Sequence, residues 1–252
     1  MKIDLSGQVA VVTGGSGDLG RVMCRTLAAC GAAVAVHYHS RAAQADEVVA
    51  AIRAAGGTAM SCGGDVADEA AVQQWAATIR TELGEPSIVI ANAVQQYQPW
   101  TSVLEQPLAD YDGQYRTCVR QVVLLAKTFA PAMQARKYGR IIGISTECAA
   151  QCHPGQSAYV AGKRGMDGVL RVLARELGPS GITVNQVAPG WMLSDRNRSD
   201  PLATGYIAGV PLRRRGDDTD IANAVAFLAS DLAGYITGAW LPVCGGHVTV
   251  GI

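Results

Sequence analysis

Val9-Ala10-Val11-Val12-Thr13-Gly14-Gly15-Ser16-Gly17-Asp18-Leu19-Gly20 is the stretch on which the fold turns. Gln8 to Thr13 reads as a strand, and a helical pattern from Leu19 to Cys30 follows the glycine-rich turn. Glycines let the chain reverse sharply and let backbone amides approach a pyrophosphate. The helix that follows then turns its N-terminus towards the phosphates. Gly14, Ser16, Gly17 and Leu19 are therefore candidate dinucleotide contacts. The same residues would also make a plain turn, with Asp18 as helix N-cap.

Outward from this turn, strand-length apolar runs alternate with longer helical patterns. Ala33 to Tyr38, Thr58 to Cys62, Ser87 to Ala91, Arg140 to Ser145, Thr183 to Ala188 and Ala239 to Val243 read as further strands. Ala42 to Ala55, Glu69 to Leu83, most of Leu108 to Arg136, Ala158 to Gly178 and Thr219 to Ser230 read as helices. The strands are nearly continuous Val, Ile and Ala with little alternation, so both of their faces are buried, as in a parallel sheet. The expected fold class is α/β: a doubly wound, mainly parallel seven-stranded sheet with helices on both faces. No repeat or linker interrupts it, and residues 1–252 read as a single domain. Ligands of such sheets lie at the carboxyl ends of the strands, near the switch in strand order.

Composition narrows the function classes. Lys plus Arg and Asp plus Glu both number 21, so the net charge is zero and a nucleic-acid footprint is not expected. No apolar run approaches the roughly 20 residues of a membrane span. Met1-Lys2-Ile3-Asp4 does not read as a signal peptide, so a cytoplasmic protein is expected. Charged residues make up only 17% of the chain, which suits buried subunit contacts. The seven cysteines are odd in number and form no CxxC, consistent with reduced thiols and no metal site. Pairing of Cys148 and Cys152 with a metal or with each other is the alternative.

Tyr159-Val160-Ala161-Gly162-Lys163 carries the chemistry. Residues four apart share a helix face. An ammonium beside a phenol favours the phenolate, so Lys163 is expected to lower the Tyr159 pKa by about two to three units and ready it for proton transfer. At the other end, Val36-His37-Tyr38-His39-Ser40-Arg41 follows the second strand without an acidic residue. An acid there would bind a ribose 2′-hydroxyl. Arg41 and Ser40, with Tyr38 beside them, suit a 2′-phosphate instead, favouring NADP(H) over NAD(H). Arg41 would also serve as a solvated residue at a helix start.

Together these segments resemble the short-chain dehydrogenase/reductase family, a Rossmann-like group. Thr13, Gly14 and Gly20 match its TGxxxGxG fingerprint, with Asp18 in place of the middle glycine. The resemblance implies that Asp65-Val66 contacts the adenine and that Asn92-Ala93 belongs to the cofactor site. It implies that Thr146, thirteen residues before Tyr159, holds the substrate oxygen, with Ser145 as backup. Cys118 falls at the family's helical asparagine, where a backbone carbonyl helps hold a relay water; a packing thiol is the alternative. Pro189-Gly190 and Ser194 match the nicotinamide side, and residues 191–210 read as a lid.

The resemblance thus implies hydride transfer between NADP(H) and a small carbonyl or secondary alcohol, with Tyr159 as general acid/base and Lys163 holding the ribose. Relatives of this kind reduce 3-oxoacyl thioesters, sugars or polyols and are commonly homotetramers. Gln95, Gln96, Tyr97, Gln151, His153, Trp191 and Met192 are expected near the substrate, and Glu147 and His153 suit a polar one. Two other classes share these motifs: a nucleotide-binding sensor or scaffold without catalysis, and a nonredox enzyme on the same fold.

Overall fold

The computed structural model describes residues 2–193 and 203–249. Its first half contains β1 (Val9–Val12), α1 (Asp18–Ala29), β2 (Ala33–Tyr38), α2 (Ala42–Ala54), β3 (Ala59–Gly63), α3 (Glu69–Glu82) and β4 (Ile88–Ala91). Then come α4 (Leu108–Gln114), a π-helical turn (Tyr115–Arg120), α5 (Gln121–Arg136), β5 (Gly139–Ile144), α6 (Cys148–Gln151) and α7 (Ser157–Leu177). The chain continues through β6 (Ile182–Pro189), α8 (Ala203–Gly209), α9 (Asp218–Ala229) and β7 (Trp240–Val243).

The seven strands form one sheet in the order β3-β2-β1-β4-β5-β6-β7. Every neighbouring pair is parallel, so the expected "mainly parallel" sheet is wholly so. The chain builds outward from β1 to β3, then returns to place β4 on the other flank of β1. That reversal opens a crevice between the carboxyl ends of β1 and β4.

Successive side chains along each strand enter opposite layers. Ala10, Val12, Val34, Ile90 and Ile142 pack against Met23 and Leu27 of α1, Val48 and Ile52 of α2, and Ile221 and Val225 of α9. Val11, Val89, Ile141 and Val184 pack against Trp75 and Ile79 of α3, Phe129 and Met133 of α5, and Met166 and Leu170 of α7. Both faces of the inner strands such as β1, β4, β5 and β6 are therefore dry, which is why their sequence lacks alternation.

The long helix expected over Leu108 to Arg136 is helical throughout, but it widens at the π turn. Two short helices, α6 and α8, were not expected, because four and seven residues carry too little periodic signal.

One buried hydroxyl ties the crevice together. Thr13 Oγ1 donates to Gln121 Oε1 at 2.6 Å and accepts the amides of Asn92 at 2.9 Å and Ala93 at 3.1 Å. Asn92 Nδ2 returns a bond to Thr13 O at 2.8 Å, and Gln121 Nε2 donates to Ala93 O at 3.0 Å. The ends of β1 and β4 and the start of α5 are thus cross-linked. Thr13→Val keeps the shape but strands two amides and a glutamine. Urea unfolding should show a loss of about 1–3 kcal/mol; a midpoint equal to wild type would contradict this account.

Candidate active site

A cleft of about 1030 Å³ runs along the carboxyl ends of the strands. Gly14, Ser16, Gly17, Asp18, Leu19 and Gly20 line one end. Asp65, Val66, Asn92 and Ala93 line its middle, with Thr146, Tyr159, Lys163, Pro189, Gly190 and Trp191 at the other end.

The glycine-rich turn is shaped by close approach. Gly14 has φ 64°, and a Cβ on Gly20 would lie 2.1 Å from Gly14 O. Only glycine fits there, so α1 begins tight against the turn. Gly17, in extended conformation, is the N-cap, and Asp18 is the first helical residue rather than the cap. Asp18 lines the cleft, although its charge is expected to turn away from a phosphate.

His37 holds this turn from behind and has no counterpart among the sequence expectations. It is buried; its Nδ1 accepts the Gly14 amide at 3.3 Å and its Nε2 lies 3.1 Å from Gly64 O. Those partners require Nδ1 bare and Nε2 protonated, the neutral tautomer. Burial, against the Gly64 bond, lowers its pKa to about 4.

Beyond the turn, His39, Ser40 and Arg41 are exposed and line the cleft. Tyr38 is not among the lining residues. Strand alternation sends it to the face opposite His37, where it packs against the core and over Gly63. Its expected place in the cofactor site is corrected accordingly. Asp65 does line the cleft, paired with Arg116 Nη2 at 2.7 Å and accepting the Ala67 amide at 2.8 Å. Burial opposes its ionisation, but the amide and the guanidinium outweigh it and hold the carboxyl below its usual range. Arg116 lines the same wall and was not expected there, because its partner lies far away in sequence.

At the other end, α7 carries Tyr159 and Lys163 one turn apart. Lys163 Nζ lies 5.8 Å from the Tyr159 ring centre and donates to Ile144 O at 2.6 Å. Trp100 stacks on the Tyr159 ring at 6.0 Å, and Tyr97 Oη accepts the Tyr159 amide at 2.9 Å. The Tyr159 hydroxyl lies near that of Thr146. Its pKa nevertheless moves up, not down as the sequence suggested: burial dominates, and the nearby thiols Cys148 and Cys118 add to it. Lys163, which donates to the Ile144 carbonyl, does not reverse that. Tyr159 is a protonated acid at neutral pH.

Thr146 Oγ1 also accepts the Cys148 amide at 3.2 Å, while the Ser145 hydroxyl accepts Trp240 Nε1 at 3.1 Å. Cys118 is buried with its thiol 3.7 Å from Gln114 Oε1 and does not line the cleft. The thiol packs inside the protein, so the place the resemblance implies for Cys118 rests on its backbone carbonyl alone. Gln95 and Gln96 line the cleft; Tyr97, Gln151, His153 and Met192 do not. Ser194 lies outside the described residues, as does part of the stretch read as a lid. Among the described residues no cluster of His, Cys, Asp or Glu could hold a metal, and no helix is long and apolar enough to cross a membrane.

A family model described as Enoyl-(Acyl carrier protein) reductase matches residues 16–248. A solved mutant of a Serratia marcescens short-chain dehydrogenase/reductase superposes with TM-score 0.89 at 35% identity, covering 97% of this chain and 99% of its own. The chain belongs to the short-chain dehydrogenase/reductase family. As a member it is an NAD(P)-dependent oxidoreductase of carbonyl and alcohol groups. A Staphylococcus epidermidis 3-oxoacyl-(acyl-carrier-protein) reductase is 37% identical over 94% of this chain and 97% of that protein. A 7α-hydroxysteroid dehydrogenase solved with NADH and 7-oxo glycochenodeoxycholic acid matches with TM-score 0.92 at 30% identity, covering 99% of this chain and 97% of that one.

The donor set fits the family's dinucleotide. A glycine cradle that no Cβ could enter meets the start of a 12-residue helix, and the cleft extends from there to Tyr159.

The imidazole behind the turn makes stability pH-dependent. His37 has an ordinary pKa near 6.5 unfolded and about 4 folded, so the unfolded chain binds more protons between these values. Its contribution is complete above pH 6.5 and is lost as pH falls towards 4. Its share of the slope approaches about 1.4 kcal/mol per pH unit inside that window. Urea titrations from about pH 4 to about pH 7.5 should show this slope in wild type and lose it in His37→Gln. Parallel curves for the two proteins would rule it out.

Proposed function

We propose that this enzyme is an NADP(H)-dependent reductase of small carbonyl compounds, working as one catalytic domain over residues 1–252. The observation that carries the reading is the continuity of the cleft from the glycine-rich turn to the Thr146–Tyr159–Lys163 group. Gly14, Ser16, Gly17 and Leu19 would cradle the pyrophosphate, and Asn92, Ala93, Pro189 and Gly190 would flank the nicotinamide half. Asp65 and Val66 would border the adenine. Ser40 and Arg41 supply a hydroxyl and a guanidinium for a 2′-phosphate, with no acid beside them to repel it. When bound, the nicotinamide supplies the hydride.

The chain's own groups do the rest. Thr146 and Tyr159 hydrogen-bond the substrate oxygen and hold its carbon over the cofactor face. Tyr159, protonated by virtue of its burial, gives its proton to that oxygen as negative charge develops. Lys163, fixed by the Ile144 carbonyl, is placed to hold the ribose and to stabilise the phenolate left behind.

A homotetramer is proposed as the working state. Leu108, Tyr115 and Val123 on the α4–α5 run and Val172 on α7 are exposed apolar side chains on the two long helices. Light scattering should give a mass near four chains of 26.3 kDa; a monomer at micromolar concentration would exclude it.

Turnover of a carbonyl panel with NADPH and NADH side by side tests the activity. Tyr159→Phe should retain NADPH binding but slow kcat by at least about a hundredfold; near-normal turnover would refute its role. Arg41→Ala should raise KM for NADPH by about tenfold or more while leaving KM for NADH nearly unchanged. Equal effects on both coenzymes would remove Arg41 from 2′-phosphate recognition.

A further inference from the structure

Beside the catalytic group stands a polar cluster that the mechanism above does not use. Glu147 follows Thr146 directly, and its side chain is only 4% exposed. Its Oε2 lies 3.1 Å from His247 Nδ1, in the segment after β7. Gln151 Nε2 approaches the same ring nitrogen at 3.0 Å. Tyr206, from α8, brings its hydroxyl near the Glu147 carboxylate and accepts the Trp191 amide on it at 2.8 Å. One buried carboxylate thus gathers the loop after β5, the loop after β6, α8 and the segment after β7.

The surrounding backbone is cut to fit this arrangement. A Cβ on Gly190 would lie 2.6 Å from the Tyr206 hydroxyl, so the loop after β6 passes under that oxygen only as glycine. The Glu147 amide donates to Pro189 O at 2.8 Å, which locks the two loops side by side. Tyr206 and His247 pack edge to face at 4.6 Å, and Tyr206 and Trp191 do the same at 5.4 Å. Arg215 covers the other side of Trp191, 4.6 Å from its ring. A buried carboxylate is costly unless its oxygens are satisfied. Here the carboxylate is engaged by an imidazole inside the protein rather than by substrate.

Trp191 is the member of this group that lines the cleft, at the end where Tyr159 and Thr146 stand. We propose that Glu147 is a positioning residue: through His247, and the Tyr206 ring packed on that imidazole, it sets Trp191 as the fixed wall of the carbonyl pocket. The proposal rests on the reading of that end of the cleft as the substrate end. Glu147 touches neither coenzyme nor reacting atoms. Its loss therefore alters how the carbonyl compound is held and leaves the glycine-rich end alone.

The test uses the full chain with NADPH and ethyl 3-oxobutanoate as the carbonyl probe. Glu147→Val and Tyr206→Phe should each raise KM for the ester about tenfold or more, with kcat within about threefold of wild type. The NADPH Kd, read by fluorescence, should stay within about twofold. Glu147→Gln keeps an acceptor for the His247 ring and should return KM to within about threefold of wild type. Hydrogen exchange supplies a readout that needs no turnover. In Glu147→Val the amides of α8 should exchange at least about tenfold faster, while those of β1, β4 and β5 do not change. An unmoved KM, a matching loss of coenzyme affinity, failure of Glu147→Gln to rescue, or faster exchange across the whole sheet would each overturn the proposal. If wild type does not turn over the ester, the proposed activity on this class fails. The exchange pattern then decides the positioning role alone.

Discussion

The hydroxyl of Thr13 is the point on which the cleft depends. A parallel sheet leaves all its strand ends at one edge, and nothing in the ladders themselves holds β1 and β4 in a particular relation beyond their last paired residues. Thr13 supplies that relation by serving one acceptor and two amides from inside the protein. Asn92 answers from the other strand, and Gln121 brings in the long helix. The crevice at the reversal of strand order is therefore a rigid, pre-formed feature, which is what orientation of two reactants requires.

Electrostatics then divides the cleft into two kinds of environment. At the turn, an uncharged imidazole takes up the Gly14 amide and holds the loop without adding a charge of its own. Along the middle wall, Asp65 and Arg116 cancel one another at short range. At the far end, burial keeps Tyr159 neutral and Lys163 is drawn to a carbonyl. Net charge zero over the chain conceals these local differences, each of which is set by one or two neighbours rather than by the field of the whole molecule.

Much of this was legible beforehand. All seven strands fall within a residue or two of their apolar runs, because runs such as Ile88–Ala91 are buried on both faces and carry an unbroken signal. The alternation of strands with helices specified a parallel sheet, and the motifs after β1, β5 and β6 do meet in one cleft. What escaped depended on distant pairs or on short elements. The role of His37 needs Gly14 and Gly64, which lie far from it along the chain. Arg116 has meaning only against Asp65. Tyr38 sits next to His37 but on the other face, a distinction that a run buried on both sides cannot encode. The Tyr159 shift went the opposite way because the i to i+4 spacing says that two groups are neighbours, not where the amine points.

The placement of β7 at the edge of the sheet has a consequence for how the cleft matures. β7 pairs only with β6 and is the last strand along the chain, and His247 follows it. The glycine-rich end also leans on late chain, because Met23 and Leu27 of α1 share a core with Ile221 and Val225 of α9. A domain folds as a unit, so neither end of the cleft is complete until synthesis has passed α9 and β7. The nucleotide cradle and the carbonyl wall mature together, although one is encoded near the start of the chain and the other near its end.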